Sequence, residues 1–200
     1  MPSRKRTPFL LLAFVTVLTA GCQSSMRIEQ TPSEQDRFWS ALSSLCGRAF
    51  GGRLTEGSAA DSAFRRAELT MHVRTCSPTE IRIPFHAAAD RSRTWVLTRS
   101  ADGLRLKHDH RHEDGSEDRI TQYGGDTRAG GEASRQEFYA DSLTAALIPA
   151  ARTNVWTMEV IAGERFAYAL RREGTDRRFR VEFDLTRPVA IPPVPWGAAP

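Results

Sequence analysis

The chain has no apolar run long enough to cross a bilayer and no motif of the common nucleotide-binding or hydrolytic classes. Its longest apolar run covers residues 9–20, about a dozen positions, whereas a spanning helix needs roughly 20. It lacks the phosphate-binding and dinucleotide-binding glycine patterns, and also the G-x-S-x-G and H-E-x-x-H signatures. The sequence therefore predicts none of these enzyme classes and favours a non-enzymatic protein.

A strong net charge is also lacking. The formal charge is +4, but Arg4, Lys5 and Arg6 stand in the first 21 residues, which contain no acid. Removing these three charges from +4 leaves +1. A chain so close to neutral has little general attraction for nucleic acid, and we expect no nucleic-acid partner. Its composition, 40% hydrophobic and 26% charged, is that of an ordinary globular domain.

The N-terminus has the pattern of an export signal. Basic residues precede the apolar run, which predicts a signal peptide at residues 1–21. The following Leu18-Thr19-Ala20-Gly21-Cys22 resembles the lipobox of bacterial lipoproteins, although Thr19 stands where Leu is usual. The resemblance implies that Cys22 is diacylated, becomes the new N-terminus and anchors the protein to the membrane. Gln23 then favours the outer membrane, facing the periplasm. An ordinary secretory signal is the alternative.

Cysteine is scarce, with Cys22, Cys46 and Cys76 as the three copies. If Cys22 carries lipid, two cysteines remain in an exported, oxidising compartment. We therefore expect a disulfide between Cys46 and Cys76, closing a loop of about 30 residues. Two free buried thiols are the alternative.

The length of 200 residues allows one domain, or at most one domain plus a tail. Residues 22–33 read as a lipidated tether, residues 34–186 as a single β-rich domain and residues 187–200 as a proline-rich tail. Ser33 is placed to cap a short amphipathic helix that ends near Gly47. After that, apolar residues alternate with a period of two, as in strands with one buried face.

The strand count predicts the fold class. We expect a mainly-β fold, either an antiparallel barrel or a strongly curved sheet of about 8–10 strands, with a short N-terminal helix. A β-sandwich or an α+β fold is the alternative. The glycine-rich residues 124–136 read as a long loop or flap, and Asp141 is placed to cap a short helix. The predicted strands lie near residues 69–73, 81–85, 93–98, 104–112, 120–123, 155–161, 165–171 and 178–185.

Two stretches of the domain resemble known families. Leu42-x-x-Leu45-x-Gly47-x-x-x-Gly51 resembles the opening of small bacterial lipocalin-like (calycin) barrels. Those barrels usually have Trp two residues after the first glycine, where this chain has Ala49. The resemblance implies a barrel and brings no binding residue with it. Residues 104–127 are similar to part of an uncharacterised family of secreted bacterial proteins, which implies no activity.

The histidines of residues 104–114 are the strongest candidates for chemistry. His108, His110 and His112 share one face of the predicted strand with Leu104 and Leu106. Neutral imidazoles are good ligands for Zn²⁺ or another divalent metal. The first and third lie about 13 Å apart along a strand, so one ligand would have to come from elsewhere. The candidates are His72, His86, Glu113 and Asp126. The alternative is that these histidines have a structural role in a network of polar hydrogen bonds.

These features together predict a lipid-anchored protein of the bacterial envelope. We expect its barrel to bind a small hydrophobic or amphipathic ligand, or a partner. The alternative is a metal-binding protein or a metal-dependent enzyme that uses His108, His110 and His112. Arg93, two residues before Trp95, predicts in addition a structural cation–π pair at the closed end of the barrel.

Overall fold

The computed structural model of the protein describes residues 31–199. The predicted signal peptide at residues 1–21, the lipidation residue Cys22 and most of the predicted tether lie outside the described residues. Within the described range, no helix has both the length and the hydropathy that a membrane span requires.

Eleven strands and three α-helices make up the described chain, together with the two single 3₁₀ turns Ala59–Asp61 and Pro149–Ala151. The helices are α1 (Glu34–Ser43), α2 (Ser62–Arg66) and α3 (Ser142–Leu147). The strands are β1 (Ala49–Glu56), β2 (Leu69–His72), β3 (Thr75–Cys76), β4 (Glu80–Ala87), β5 (Asp90–Ser100), β6 (Gly103–His110), β7 (Tyr123–Asp126), β8 (Arg135–Ala140), β9 (Asn154–Ile161), β10 (Arg165–Arg172) and β11 (Arg178–Val189).

Hydrogen bonds join the strands into one antiparallel sheet in the order β2-β1-β11-β10-β9-β8-β7-β6-β5-β4-β3. β2 also pairs with β4, with Leu69 opposite Ala87 and Met71 opposite Phe85. This pairing closes a barrel of 10 strands and leaves the two-residue β3 beside β4, outside the ring. The predicted mainly-β barrel is therefore confirmed, and the structure is neither a sandwich nor an α+β fold.

Alternation along the strands fills the barrel. On β4, Ile81, Ile83 and Phe85 are each at most 3% exposed, whereas Glu80 and Arg82 are partly exposed on the outer face. Full burial of one such side chain contributes about 1.5–3 kcal/mol to folding. The same alternation on β6, β9, β10 and β11 builds one continuous apolar core.

Helix α1 covers one end of the barrel. Phe38 and Leu42 are completely buried in the core. The Gln35 side chain donates a hydrogen bond to Thr127 Oγ1 at 3.0 Å, just after β7. Asp36 of α1 forms an ion pair with Arg99, near the end of β5, with a distance of 3.4 Å between Arg99 Nη2 and Asp36 Oδ1. Because α1 inserts apolar side chains at this end, the interior is closed there.

Both predicted helix caps are formed. The Ser33 hydroxyl accepts a hydrogen bond from the Asp36 amide at 3.1 Å, and the Asp36 carboxylate accepts one from the Ser33 amide at 3.1 Å. At α3, the Asp141 carboxylate accepts a hydrogen bond from the Thr144 amide at 2.8 Å. These contacts satisfy donors that a helix start leaves free.

The glycine-rich segment differs from its prediction as a long loop. β7 takes its first residues and β8 its last, so that only residues 127–134 connect strands. A Cβ added to Gly125 would lie 1.7 Å from the Tyr139 carbonyl oxygen, and one added to Gly124 would lie 1.9 Å from that of Leu106. The two glycines therefore allow β7 to pack closely between β6 and β8.

The C-terminal tail is part of the fold. β11 continues to Val189, which pairs with Ala49, so the predicted boundary at residue 187 falls inside a strand. Residues 190–199, here called the C-terminal strap, then lie on the outer face of the barrel. Arg91 donates a hydrogen bond to the Val194 carbonyl at 3.0 Å, and the Arg91 carbonyl accepts one from the Trp196 amide at 3.1 Å.

The predicted disulfide between Cys46 and Cys76 is present. Cys46 follows α1, and Cys76 belongs to β3. Their Cα atoms lie 6.3 Å apart, within the usual range for a disulfide. The bond therefore links the end of the covering helix to the short strand beside β4.

We predict that the double variant Cys46→Ala/Cys76→Ala unfolds with a free energy about 3–4 kcal/mol lower than the native chain, because opening this loop restores entropy to the unfolded state. Urea denaturation followed by circular dichroism measures this difference. The native chain under reducing conditions is the control and should match the variant. Equal midpoints for the oxidised native chain and the variant would contradict the prediction.

Candidate functional site

A cavity of about 290 Å³ lies inside the barrel at the end opposite α1. Arg93 marks this end on β5, whereas Arg99, near α1, lies six residues further along the strand. At about 3.3 Å per residue, the two ends are roughly 20 Å apart. The cavity is lined by Asp61, Phe64, Phe85, Arg93, Thr94, Trp95, His108, His110, Ile120, Tyr123, Ile148, Ala151, Asn154, Trp156, Tyr168, Leu170, Arg172, Arg177 and Phe179.

Packed aromatic rings form the wall of the cavity. The Trp95 ring stacks between Phe85, at a centroid distance of 4.9 Å, and Tyr168, at 4.4 Å. Phe179 meets Tyr168 edge to face at 6.2 Å. Trp156 completes this wall and is 1% exposed. Because each ring is fixed by its neighbours, the apolar surface of the cavity exists before any ligand arrives.

His108 and Tyr168 form a buried hydrogen-bonded pair in this wall. His108 Nδ1 lies 3.0 Å from the Tyr123 carbonyl oxygen, which can only accept, so Nδ1 carries the proton. His108 Nε2 is then an acceptor, and the Tyr168 hydroxyl donates to it at 2.6 Å. The imidazole also stacks on the Tyr123 ring at 4.4 Å. Both ring nitrogens are thus engaged within the fold.

Burial keeps this pair neutral. It lowers the pKa of His108 to about 3, against which the hydrogen bond from Nδ1 to the Tyr123 carbonyl acts only in part. It also raises the pKa of the Tyr168 hydroxyl well above its ordinary value. The imidazole is therefore uncharged near neutral pH, where it serves as a hydrogen-bond acceptor for the tyrosine.

His110 lies on the same inward face, one step nearer the mouth. Its Nε2 is 3.2 Å from the Tyr123 hydroxyl. Burial lowers the pKa of His110, and the nearby positive charge of Arg93 acts in the same direction. Burial also raises the pKa of Tyr123 to about 12. The prediction that the inward face of β6 brings His108 and His110 together is confirmed.

Three arginines surround the mouth of the cavity. Arg177 forms a two-point ion pair with Asp61, with Nη2 2.8 Å from Oδ1. Arg93 pairs with Asp90 and lies over the Phe64 ring at 5.2 Å.

The Arg93 contact corrects its sequence prediction. The guanidinium stacks on Phe64 of α2 rather than on Trp95, and it lies at the open end of the barrel. The third arginine, Arg172, donates from Nε to Asn154 Oδ1 at 2.9 Å.

His112 does not join the other two histidines, which corrects the predicted three-histidine cluster. β6 ends at His110, and the chain turns away over the next residues. The side chain of His112 is 57% exposed, and its Nε2 lies 3.8 Å from Asp118 Oδ2. The alternation that directs every second side chain of β6 into the barrel ends with the strand at His110.

The other predicted metal ligands are also elsewhere. His72 and His86 belong to the face of β2 and β4 opposite the core residues Met71 and Phe85, by the alternation of those strands. Glu113 is exposed in the turn after β6, and Asp126 pairs with Arg105 on the outer face.

Within residues 31–199, no three His, Cys, Asp or Glu side chains are arranged to hold a metal ion.

Several residues of the site are not identified from the sequence. Phe64 and Asp61 come from the short helical segment before β2, and Ile148 comes from the turn after α3. Asn154 and Arg172 face each other across β9 and β10 in register. The inward period of β10, from Tyr168 through Leu170, could have placed Arg172 in the barrel, since the next two residues keep the same alternation.

The comparisons with known proteins do not identify the chemistry of the cavity. No protein-family model matches the chain, and no significant similarity was found to a curated protein or to a solved structure. The chemistry of the cavity therefore has to be argued from its own side chains.

The buried His108 predicts an acid-sensitive stability. Between about pH 3 and pH 6.5 the unfolded chain binds a proton at this residue and the folded chain does not. The contribution of the neutral His108 to stability is therefore fully present above pH 6.5 and falls as the pH drops towards about 3. In His108→Gln, the dependence should be shallower by up to about 1.4 kcal/mol per pH unit.

Urea denaturation between pH 7 and pH 4.5 measures this dependence. The matched control is His112→Gln, which removes an exposed histidine from the same segment and should leave the slope unchanged. An unchanged slope in His108→Gln would contradict the prediction.

Proposed function

We propose that the protein is a lipid-anchored protein of the bacterial cell envelope whose barrel binds a small hydrophobic or amphipathic molecule. The observation that carries the binding half of this proposal is the aromatic cavity at the open end of the barrel. The anchor half rests on the residues around Cys22. The binding partner in this proposal is a small molecule and not a nucleic acid.

The character of the cavity supports a ligand with an apolar body. Its wall includes Phe85, Trp95, Trp156 and Tyr168, and the buried polar pair of His108 and Tyr168 is already hydrogen-bonded. Concave sites with mostly apolar walls and a few polar groups are typical of small-molecule sites. Rigid walls of this kind lower the entropy lost on binding.

The volume limits the size of the ligand. An apolar cavity of about 150 Å³ holds one benzene ring. A cavity of about 290 Å³ therefore accommodates a body of roughly twice that size, equivalent to two fused rings. A diacyl lipid is far larger, so membrane lipid as a whole does not fit inside the barrel.

The anchor half rests on the lipobox resemblance and the export pattern of residues 1–21. The Cys46–Cys76 disulfide agrees with an oxidising compartment, and it leaves Cys22 as the one cysteine outside that bond. Gln23 favours retention in the outer membrane, facing the periplasm.

Filling the cavity tests the binding half. We expect Leu170→Trp to abolish binding, because the larger side chain would occupy the space that Leu170 now borders. Native mass spectrometry of the full-length protein, purified from its host, should find a bound small molecule in the native chain and none in the variant.

The control is Ala169→Trp, which adds the same ring on the other face of β10 and should keep the ligand. Loss of ligand from both variants, or retention by both, would contradict the proposal.

Replacing Cys22 tests the anchor half. In Cys22→Ser no acyl chain can be attached, so the protein should move from the membrane fraction to the aqueous fraction on cell fractionation. Mass spectrometry of the native N-terminal peptide should give an acylated Cys22. An unmodified cysteine in that peptide would refute the anchor.

A further inference from the structure

We infer that the ligand is a hydrophobic organic acid whose single anionic group is held by Arg172 at the mouth of the cavity. This inference rests on the proposed binding function and specifies its chemistry. It is carried by the charges around the mouth and by the hydrogen-bonding capacity that Arg172 keeps free.

Arg172 is the mouth arginine that the fold leaves without a counter-ion. Within residues 31–199, its guanidinium has no carboxylate within 4.0 Å, and Asn154 Oδ1 is the one acceptor of its side chain. That bond uses Nε and fixes the direction of the group. The two terminal nitrogens remain as donors in a planar fork, the arrangement that receives a carboxylate at two points.

The other two mouth arginines are already neutralised. Asp61 takes both terminal nitrogens of Arg177, and Asp90 pairs with Arg93. His108 and His110 add no positive charge near neutral pH, since burial lowers the pKa of each. The surroundings of the mouth therefore keep one uncompensated positive charge, which matches a monoanion.

The position of Arg172 relates this charge to the apolar wall. On β10, Tyr168, Leu170 and Arg172 occupy successive inward positions, so the Cα atom of Arg172 lies about 13 Å along the strand from that of Tyr168. A molecule bound to Arg172 by its head would extend its body past Leu170 towards Trp95 and Trp156. With the volume above, this gives an acid with an apolar body of about ten to twelve carbon atoms.

Matched acid and amide probes test the inference. Isothermal titration calorimetry on the full-length protein, held in neutral phospholipid nanodiscs with empty discs as the blank, compares 2-naphthoate with 2-naphthamide. The two molecules share shape and apolar area and differ in charge. We expect the acid to bind the native chain at least about tenfold more tightly, as one charge-assisted contact implies.

Variants of two neighbouring arginines assign the effect to one residue. In Arg172→Gln, the preference for the acid should disappear while the amide keeps its affinity, because the cavity wall is unchanged. Arg178→Gln removes the same charge from an exposed position that does not line the cavity, and it should keep the preference. Thermal melting confirms that both variants are folded.

The outcomes separate the two proposals. Equal affinity of the native chain for acid and amide would overturn the role of Arg172 and leave the hydrophobic binding function standing. The inference would also fall if Arg172→Gln kept the acid preference. If neither probe bound, the proposed binding function would fall together with the inference.

Discussion

The pairing of β2 with β4 is the constraint on which the rest of the structure depends. Without it, the strands would form an open curved sheet with two exposed edges. With it, each strand has an inside and an outside, and the alternation of residues becomes a division between core and surface. Closure also fixes the interior volume, so side chains from strands far apart in sequence must share one limited space.

The two ends of the barrel interior differ, because one is filled by apolar side chains and the other contains the cavity. At one end α1 inserts Phe38 and Leu42, and the disulfide at Cys46 ties the helix to β3. At the other end, polar and charged side chains replace apolar ones, and the space is not filled. The buried pair of His108 and Tyr168 marks the boundary, because each satisfies the other and neither needs water. The cavity is thus a product of the barrel's asymmetry.

The sequence predicts local features better than those that need register. The helix after Ser33, the strands of β4, β6 and β11 and the Cys46–Cys76 bond follow from periodicity, caps and cysteine arithmetic, which are short-range or countable signals. The sequence predicts a loop at Gly124 and Gly125 because glycine is a turn residue. The real reason for the two glycines, close approach of three strands, is visible only when the neighbours are known.

The site shows the same limit. Periodicity predicts that His108 and His110 share one inward face, but it does not show that β6 ends before His112. The mouth joins Asp61, Arg93 and Arg172, which lie on separate elements and meet only through the strand order. The alternation of apolar and polar residues along one strand does not determine which other strand pairs with it.

The distribution of indole rings gives the molecule built-in optical reporters. All four tryptophans fall in the described chain, and they divide by region: Trp39 lies on the covering helix, Trp95 and Trp156 on the cavity wall, and Trp196 on the C-terminal strap. Arg99 lies over the Trp39 ring at 5.3 Å, so that ring has a cationic neighbour of its own. Variants that retain a single tryptophan would allow the fluorescence of each region of the barrel to be followed separately, without any added dye.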